Sequence, residues 1–214
     1  YNSFSHMHVV DWMMAQNVEV SVPSLTDFVM QFFINGKEKS RRFIERRTAL
    51  SRMVAAFLEY YAGRMVERFE AILKGFRCYE PAFSIYQKAR MAEDIVSLSN
   101  QFGEGWLIPG EIAGFAREGI WNVVCLQPFG CIANQVVAKG IESRILRRYP
   151  MMNMLFLDFD AGTSEVNVLN RLHFMIENAR RQVDLSRHCS QGQTPVPGKA
   201  KFACAQRSQR WGPQ

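Results

Sequence analysis

Apolar residues recur along this chain in two rhythms. In the first half, Phe43, Leu50, Met53, Val54, Phe57, Leu58, Tyr61, Met65, Phe69 and Ile72 return at steps of three and four with Arg and Glu between them, the period of an amphipathic helix. The pattern predicts one long helix or two helices over 43–73, with Gly63 as the candidate break. A shorter helix is predicted over 8–16. It leads into VEVSVP at 18–23, where β-branched residues alternate and Pro23 closes the run, predicting a strand. Residues 80–99 read as a further helix opened by Pro81, where a missing amide costs little.

The second half has a different rhythm. After QFGEGW a helix is predicted from Pro109 to Glu118, ended by Gly119. NVVCLQPF at 122–129 and NMLFLDFD at 153–160 are short apolar runs that read as buried strands, with a helix over 132–149 between them and a closing helix over 164–183. Two such strands joined by a helical crossover predict an α/β fold with a parallel sheet flanked by helices and a right-handed connection. A long helical segment, about 38–100, is inserted before the α/β core at about 101–185. The tail 189–214 mixes Gly, Pro, Gln and basic residues without periodicity, and it is expected to be disordered beyond a lobe spanning 1–188.

Composition narrows the class. With 48% hydrophobic and 21% charged residues the chain falls among globular proteins. Its longest apolar run, Met53 to Leu58, is far below the roughly 20 residues of a membrane-spanning helix, so no membrane partner is expected. The opening YNSFSHMHVV has no basic start followed by an apolar stretch, and a cytoplasmic location is expected. Because the chain begins at Tyr1, it reads as a fragment or processed product whose upstream sequence carries part of the site.

The net charge of +6 raises the question of a nucleic-acid partner. Lys199, Lys201, Arg207 and Arg210 lie in the acid-free tail, and removing those four from the 26 basic residues leaves 22 against 20 acidic ones. What remains is one basic run, KEKSRRFIERR at 37–47, without an aromatic stacking platform. It reads as a solvated helix face, and no nucleic-acid partner is expected.

Five cysteines, at 78, 125, 131, 189 and 204, form no CxxC pair and no zinc spacing. Their odd number without a secretory signal suits reduced thiols. His6, His8, His173 and His188 give no ligand spacing, and there is no P-loop, GxGxxG or Ser-His-Asp arrangement.

Candidate chemistry therefore gathers at the carboxyl ends of the two strands, the edge at which open parallel sheets bind ligands. In PFGC, Gly130 lets the backbone turn and Cys131 falls at the first turn of the following helix, where the dipole and free amides favour negative charge. Cys131 is either a reactive or ligating sulfur or a small packed residue; Cys125, inside the strand, reads as core. In DFDAGTSEVNVLNR, Asp158 and Asp160 end the second strand, Gly162 turns the chain, and Thr163 or Ser164 caps the next helix, with an Asx turn before it. Asn167, Asn170 and Arg171 then share one helical face.

QFGEGWLIPGEI, NVVCLQPFGCIANQVVAKGI and RRYPMMNMLFLDFDAGTSEVNVLNRLHFMI together resemble the 2-hydroxyacyl-CoA dehydratase component D family, in the form fused to an ATP-dependent activase of the BadF/BcrA type. YNSF and VEVSVPSLTDF extend the resemblance to roughly residues 1–185. It implies Rossmann-like or flavodoxin-like lobes around a 4Fe–4S cluster, with Cys131 as one metal ligand and the other ligands upstream. Gly130, Cys131, Asn134, Ser164, Glu165 and Asn170 are the implied cofactor contacts, with backbone amides around 130–133 and the acids Glu104 and Glu111 along the same edge. The partners implied are an upstream activase domain or subunit, which alone would bind ATP, and an acyl-CoA substrate. The lobe by itself would be inactive. The sequence departs from the family at Gln135, where a histidine is usual. The rival reading is a non-catalytic α/β module that binds a partner domain or an anion at its strand ends.

Overall fold

The computed structural model describes residues 3–42, 48–77, 79, 81 and 83–190, with the side chains of 183–190 set aside. Residues 191–214 of the predicted tail, Cys78 and residues 43–47 of the basic run lie outside the described residues, while 189 and 190, expected in that tail, belong to a helix. Two compact units are distinguished, Tyr1–Gly162 and Thr163–Gln214.

The first unit opens with helix α1, Val9–Ala15, close to its predicted bounds. The predicted strand at 18–23 is not formed. Among the described residues the sheet has two strands, both much later in the chain, and this segment is not one of them. A strand is stabilised by its ladder, and alternation of β-branched residues supplies only half of one.

Helix α2, Leu25–Arg42, has no counterpart in the sequence reading upstream of Lys37. Its apolar residues crowd into FVM and FFI around Gln31, which obscures the helical period. Asp27 in the first turn and Lys39, Arg41 and Arg42 in the last turn suit the helix dipole. The basic run is largely neutralised where it is described: Lys37 pairs with Glu59 at 2.5 Å, and Arg41 and Arg42 both reach the buried Glu38.

Helix α3, Ala49–Leu73, is capped by the Thr48 side chain, which accepts from the Ser51 amide at 3.2 Å. It runs through Gly63 without a break. Helix α4, Ile85–Glu93, is shorter than the predicted 80–99 because a capping box sets its start: Ser84 accepts from the Gln87 amide while the Gln87 side chain accepts from the Ser84 amide.

Helix α5, Leu107–Glu118, ends at Gly119 in the left-handed conformation with φ 83°. Small residues let it approach α4 closely: a Cβ on Gly110 would lie 3.0 Å from the Lys88 carbonyl oxygen and 3.5 Å from the Ala92 side chain. On the loop before it, any Cβ at Gly105 would collide with the Asn100 carbonyl.

Strand β1, Asn122–Pro128, pairs in parallel with β2, Asn153–Phe159, in a register from Asn122 opposite Asn153 to Pro128 opposite Phe159. The α/β class and the parallel pair are as expected. The crossover differs from the single helix expected over 132–149. It is a π-helix at Ala133–Ala138, a 3-10 turn at Lys139–Ile141 and helix α6 at Glu142–Arg148.

The core is built from two clusters. Met30, Ile34, Ile85, Ala89, Trp106 and Leu107 form the first, among α2, α4 and α5. Ile112, Ala116, Val123, Cys125, Ile145 and Phe156 form the second, which packs the sheet against α5 and α6.

The second unit contains helix α7, Glu165–Ser190. Val168, Leu172, Met175 and Ile176 are its buried residues at the spacing of one face.

Candidate functional site

The parallel register places the carboxyl ends of β1 and β2 side by side, and the pairing continues one step beyond them through the Phe129 amide, which donates to the Phe159 carbonyl at 3.0 Å. From there the chain reverses in a four-residue turn, Pro128 to Cys131, closed by the Cys131 amide on the Pro128 carbonyl at 3.1 Å. Gly130 occupies the third position with φ 73°, a conformation in which a side chain is strained. Space is not the constraint, since nothing lies within 4 Å of where its Cβ would be.

The turn delivers Cys131 to the start of the π-helical segment as a half-buried free thiol. Its carbonyl accepts from the Gln135 amide at 3.0 Å, so it acts as the capping residue. The Asn134 side-chain amide donates to the Cys131 sulfur at 3.1 Å. Gly130, Cys131 and Asn134 therefore lie together at this turn. Two details differ. The following segment opens as a six-residue π-helix instead of a long α-helix, so the aligned peptide dipole behind the sulfur is short. The Cys131 amide is already engaged by Pro128, leaving those of Ile132 and Ala133 as the orphan donors of a first turn.

The turn is held in place by Gln127 and Lys139, which the sequence reading did not single out, and by Gln135 and Asp158, whose contact with each other it did not foresee. Gln127 is fully buried on β1, and its amide donates to the Asn134 carbonyl at 3.1 Å. Gln135 donates to Asp158 on β2 at 2.7 Å, and Lys139 approaches the same carboxylate at 3.9 Å. A signal for Gln127 existed: it falls in the inward-facing alternation with Val123 and Cys125, where a polar side chain must find a partner. Around the cysteine, Phe129, Ile132 and Val136 stand 75%, 59% and 59% exposed. The loop of QFGEGW lies alongside, with a Gly103 Cβ position 3.8 Å from the Ala133 methyl.

Cys125 behaves as expected of core: it is buried, and burial with the nearby Glu142 carboxylate pushes its thiol up to about 12. Glu111 corrects an expectation. It does not line the strand-end edge but is buried within an ion cluster, where the Lys88 ammonium donates to Asp27 at 2.6 Å and to Glu111 at 2.7 Å. One ammonium cannot neutralise two carboxylates. Burial, opposed by Lys88 and aided by Asp27, pushes the Glu111 carboxyl up to about 7. Burial alone would depress Lys88, but the two carboxylates outweigh it and hold it above the usual lysine value.

At the end of β2, the Asp160 side chain accepts from the Gly162 amide at 2.8 Å, the Asx turn expected there. Ser164, Glu165 and Asn170 belong to the second unit, exposed on the lead-in and first turns of α7, and Asn167 and Arg171 are exposed with them. The Ser164 carbonyl, 3.1 Å from the Val168 amide, starts the helix.

Among the described residues no group of three or more His, Cys, Asp or Glu side chains is placed to hold a metal ion. No helix among them is long and apolar enough to cross a membrane. Comparison with family models, curated proteins and solved structures finds no match to this chain.

Proposed function

We propose that this chain is a Rossmann-like or flavodoxin-like lobe of an iron–sulfur protein of the 2-hydroxyacyl-CoA dehydratase and activase group, and that it contributes Cys131 as one ligand of a 4Fe–4S cluster. The observation that carries the reading is the half-buried Cys131 thiol beyond the end of β1, receiving a hydrogen bond from Asn134. A cluster ligand must be a thiolate, reachable from outside and supplied with N–H donors. Cys125, buried and with its thiol pushed up to about 12, meets neither demand.

Only one described cysteine faces this edge, so the chain fits the cluster as one contributor among several, with the remaining thiolates coming from another lobe or subunit. When bound, the cluster would supply low-potential electron transfer driven by ATP hydrolysis in a partner activase, for reduction or dehydration of an acyl-CoA. Within this chain, Gly130 sets the turn, Gln127 and Gln135 tie the π-helical segment to both strands, and Asn134 donates to the ligand sulfur. The exposed Phe129, Ile132 and Val136 form an apolar collar suited to excluding water once a partner lobe closes on it.

The test is anaerobic reconstitution of the full-length protein with iron and sulfide, comparing wild type with Cys131→Ser. Loss of iron and of the visible absorption in the variant is the expected result. Unchanged iron content would return PFGC to a packing turn and favour the α/β module that binds a partner domain through this edge.

A further inference from the structure

Helix α3 has two unlike faces, and they are turned the opposite way from those of an ordinary surface helix. Toward the body of the first unit it presents small or polar groups: Ala62 and Val66 pack against the core cluster containing Met30 and Ile34, while Glu59 pairs with Lys37 and accepts from the Tyr86 hydroxyl. The outer face carries Leu50, Met53, Val54, Phe57, Leu58, Tyr61, Phe69 and Ile72, each between 50% and 71% exposed, and no residue of the helix is buried. At 3.6 residues per turn these positions form one continuous stripe. With on the order of 100 Å² apiece, the eight side chains offer roughly 800 Å², the share one partner contributes to a standard stable interface and more than monomers usually leave in water.

The order of residues in the stripe indicates what covers it. Seven apolar positions, the half-buried Met65 together with the exposed Leu50, Met53, Phe57, Tyr61, Phe69 and Ile72, follow at steps of three, four, four, four, four and three, the same in both directions about Tyr61, while the exposed Val54 and Leu58 mirror Arg68 and Arg64. A stripe with that symmetry is complementary to its own reverse, the requirement of an isologous two-fold contact. Antiparallel pairing sets Leu50 against Ile72, Met53 against Phe69 and Phe57 against Met65, with Tyr61 on the axis. Arg64 and Arg68 share the angular range of the stripe and would then lie over the partner's Leu58 and Val54, where their aliphatic stems pack and their heads reach water. No like charges oppose each other. An anionic bilayer is a poorer fit, because Arg52, Arg64 and Arg68 are balanced on this helix by Glu59, Glu67 and Glu70.

We propose that α3 is the interface of a symmetric homodimer, pairing antiparallel with α3 of a second copy about Tyr61. This is independent of the chemistry assigned to Cys131. Sedimentation equilibrium of the full chain tests it, with Leu50→Glu, Ile72→Lys and the double variant. Wild type is expected to sediment at twice the monomer mass, and each single variant to weaken association by roughly 100-fold. The double variant is expected to recover at least about tenfold of that loss, because the carboxylate introduced in place of Leu50 on one copy meets the ammonium introduced in place of Ile72 on the other. Within one copy the two positions are about 33 Å apart along the helix and cannot meet. Both are about 70% exposed, so unchanged circular dichroism is expected, and a monomeric wild type overturns the proposal even if a variant misfolds. A wild-type monomer at about 100 μM, a concentration that saturates micromolar dimers, overturns the proposal, and so does a double variant that associates no better than the single ones.

Discussion

Asn134 donates its side-chain amide to the Cys131 sulfur across 3.1 Å, from one turn further along the segment that Cys131 itself caps. Because Gln127 holds the Asn134 carbonyl at 3.1 Å, the donor is fixed from the strand and not free to swing away. A hydrogen bond to sulfur favours the more negative, reduced state of a cluster. If Cys131 ligates a cluster as proposed, Asn134→Ala in the reconstituted full-length protein is therefore expected to lower the reduction potential by about 40 mV, the equivalent of about 1 kcal/mol for one electron. Redox titration followed by electron paramagnetic resonance measures it; a potential that does not move would remove Asn134 from the site.

Gln135 ties the π-helical segment to Asp158 on β2 at 2.7 Å. Replacing it by Leu removes that donor and is expected to cost about 1 kcal/mol of stability, read as a lower urea midpoint at unchanged slope. A variant as stable as wild type would show that the bond contributes nothing net.

The two described thiols should separate cleanly by reactivity. Cys131 is half-buried, whereas Cys125 is buried with its thiol pushed up to about 12. With iodoacetamide under native conditions and peptide mass spectrometry, Cys131 is expected to be modified at least about 100-fold faster, with Cys125 reacting only on opening of the core. Equal rates would contradict the packing of β1.

Glu111 makes stability depend on pH in a defined direction. Its folded carboxyl sits at about 7 against an ordinary 4.5, so the folded state holds the proton more tightly than the unfolded state. The stabilisation is fully present below about 4.5 and is lost as pH rises through about 7, with a size on the order of a few kcal/mol. Lys88 is held above its usual value and stays charged throughout this window. Glu111→Gln keeps an acceptor for Lys88 without the titration. The stability of wild type relative to this variant, from urea unfolding at pH 5, 6.5 and 8, is expected to fall with pH; a constant difference would place the Glu111 titration elsewhere.

Gly63 lies in the middle of α3 with nothing within 4 Å of its would-be Cβ. Gly63→Ala is expected to stabilise the protein by about 0.5–1 kcal/mol, since it relieves the entropic cost of glycine inside a helix without meeting a neighbour. Thermal unfolding shows the sign directly.

What the sequence by itself determined were the features controlled by local chemistry: α1, the end of α5 at Gly119, both strands, the turn at Gly130, the Asx turn at Asp160, and Cys125 as core against Cys131 as the candidate sulfur. Each rests on periodicity or on a backbone conformation that few residues adopt, and both are visible within a short window. Tertiary structure decided the rest. Whether VEVSVP became a strand depended on a partner that a local pattern cannot name. The same holds for Glu111, which looks like any helix-start acid until Lys88 from α4 and Asp27 from α2 meet it, and for Gln135, whose role exists only because β2 returns beside β1. Even the direction in which α3 turns its apolar stripe is unreadable from its period: amphipathicity says that one face differs from the other, and only packing against α2 and α4 settles which one faces the body.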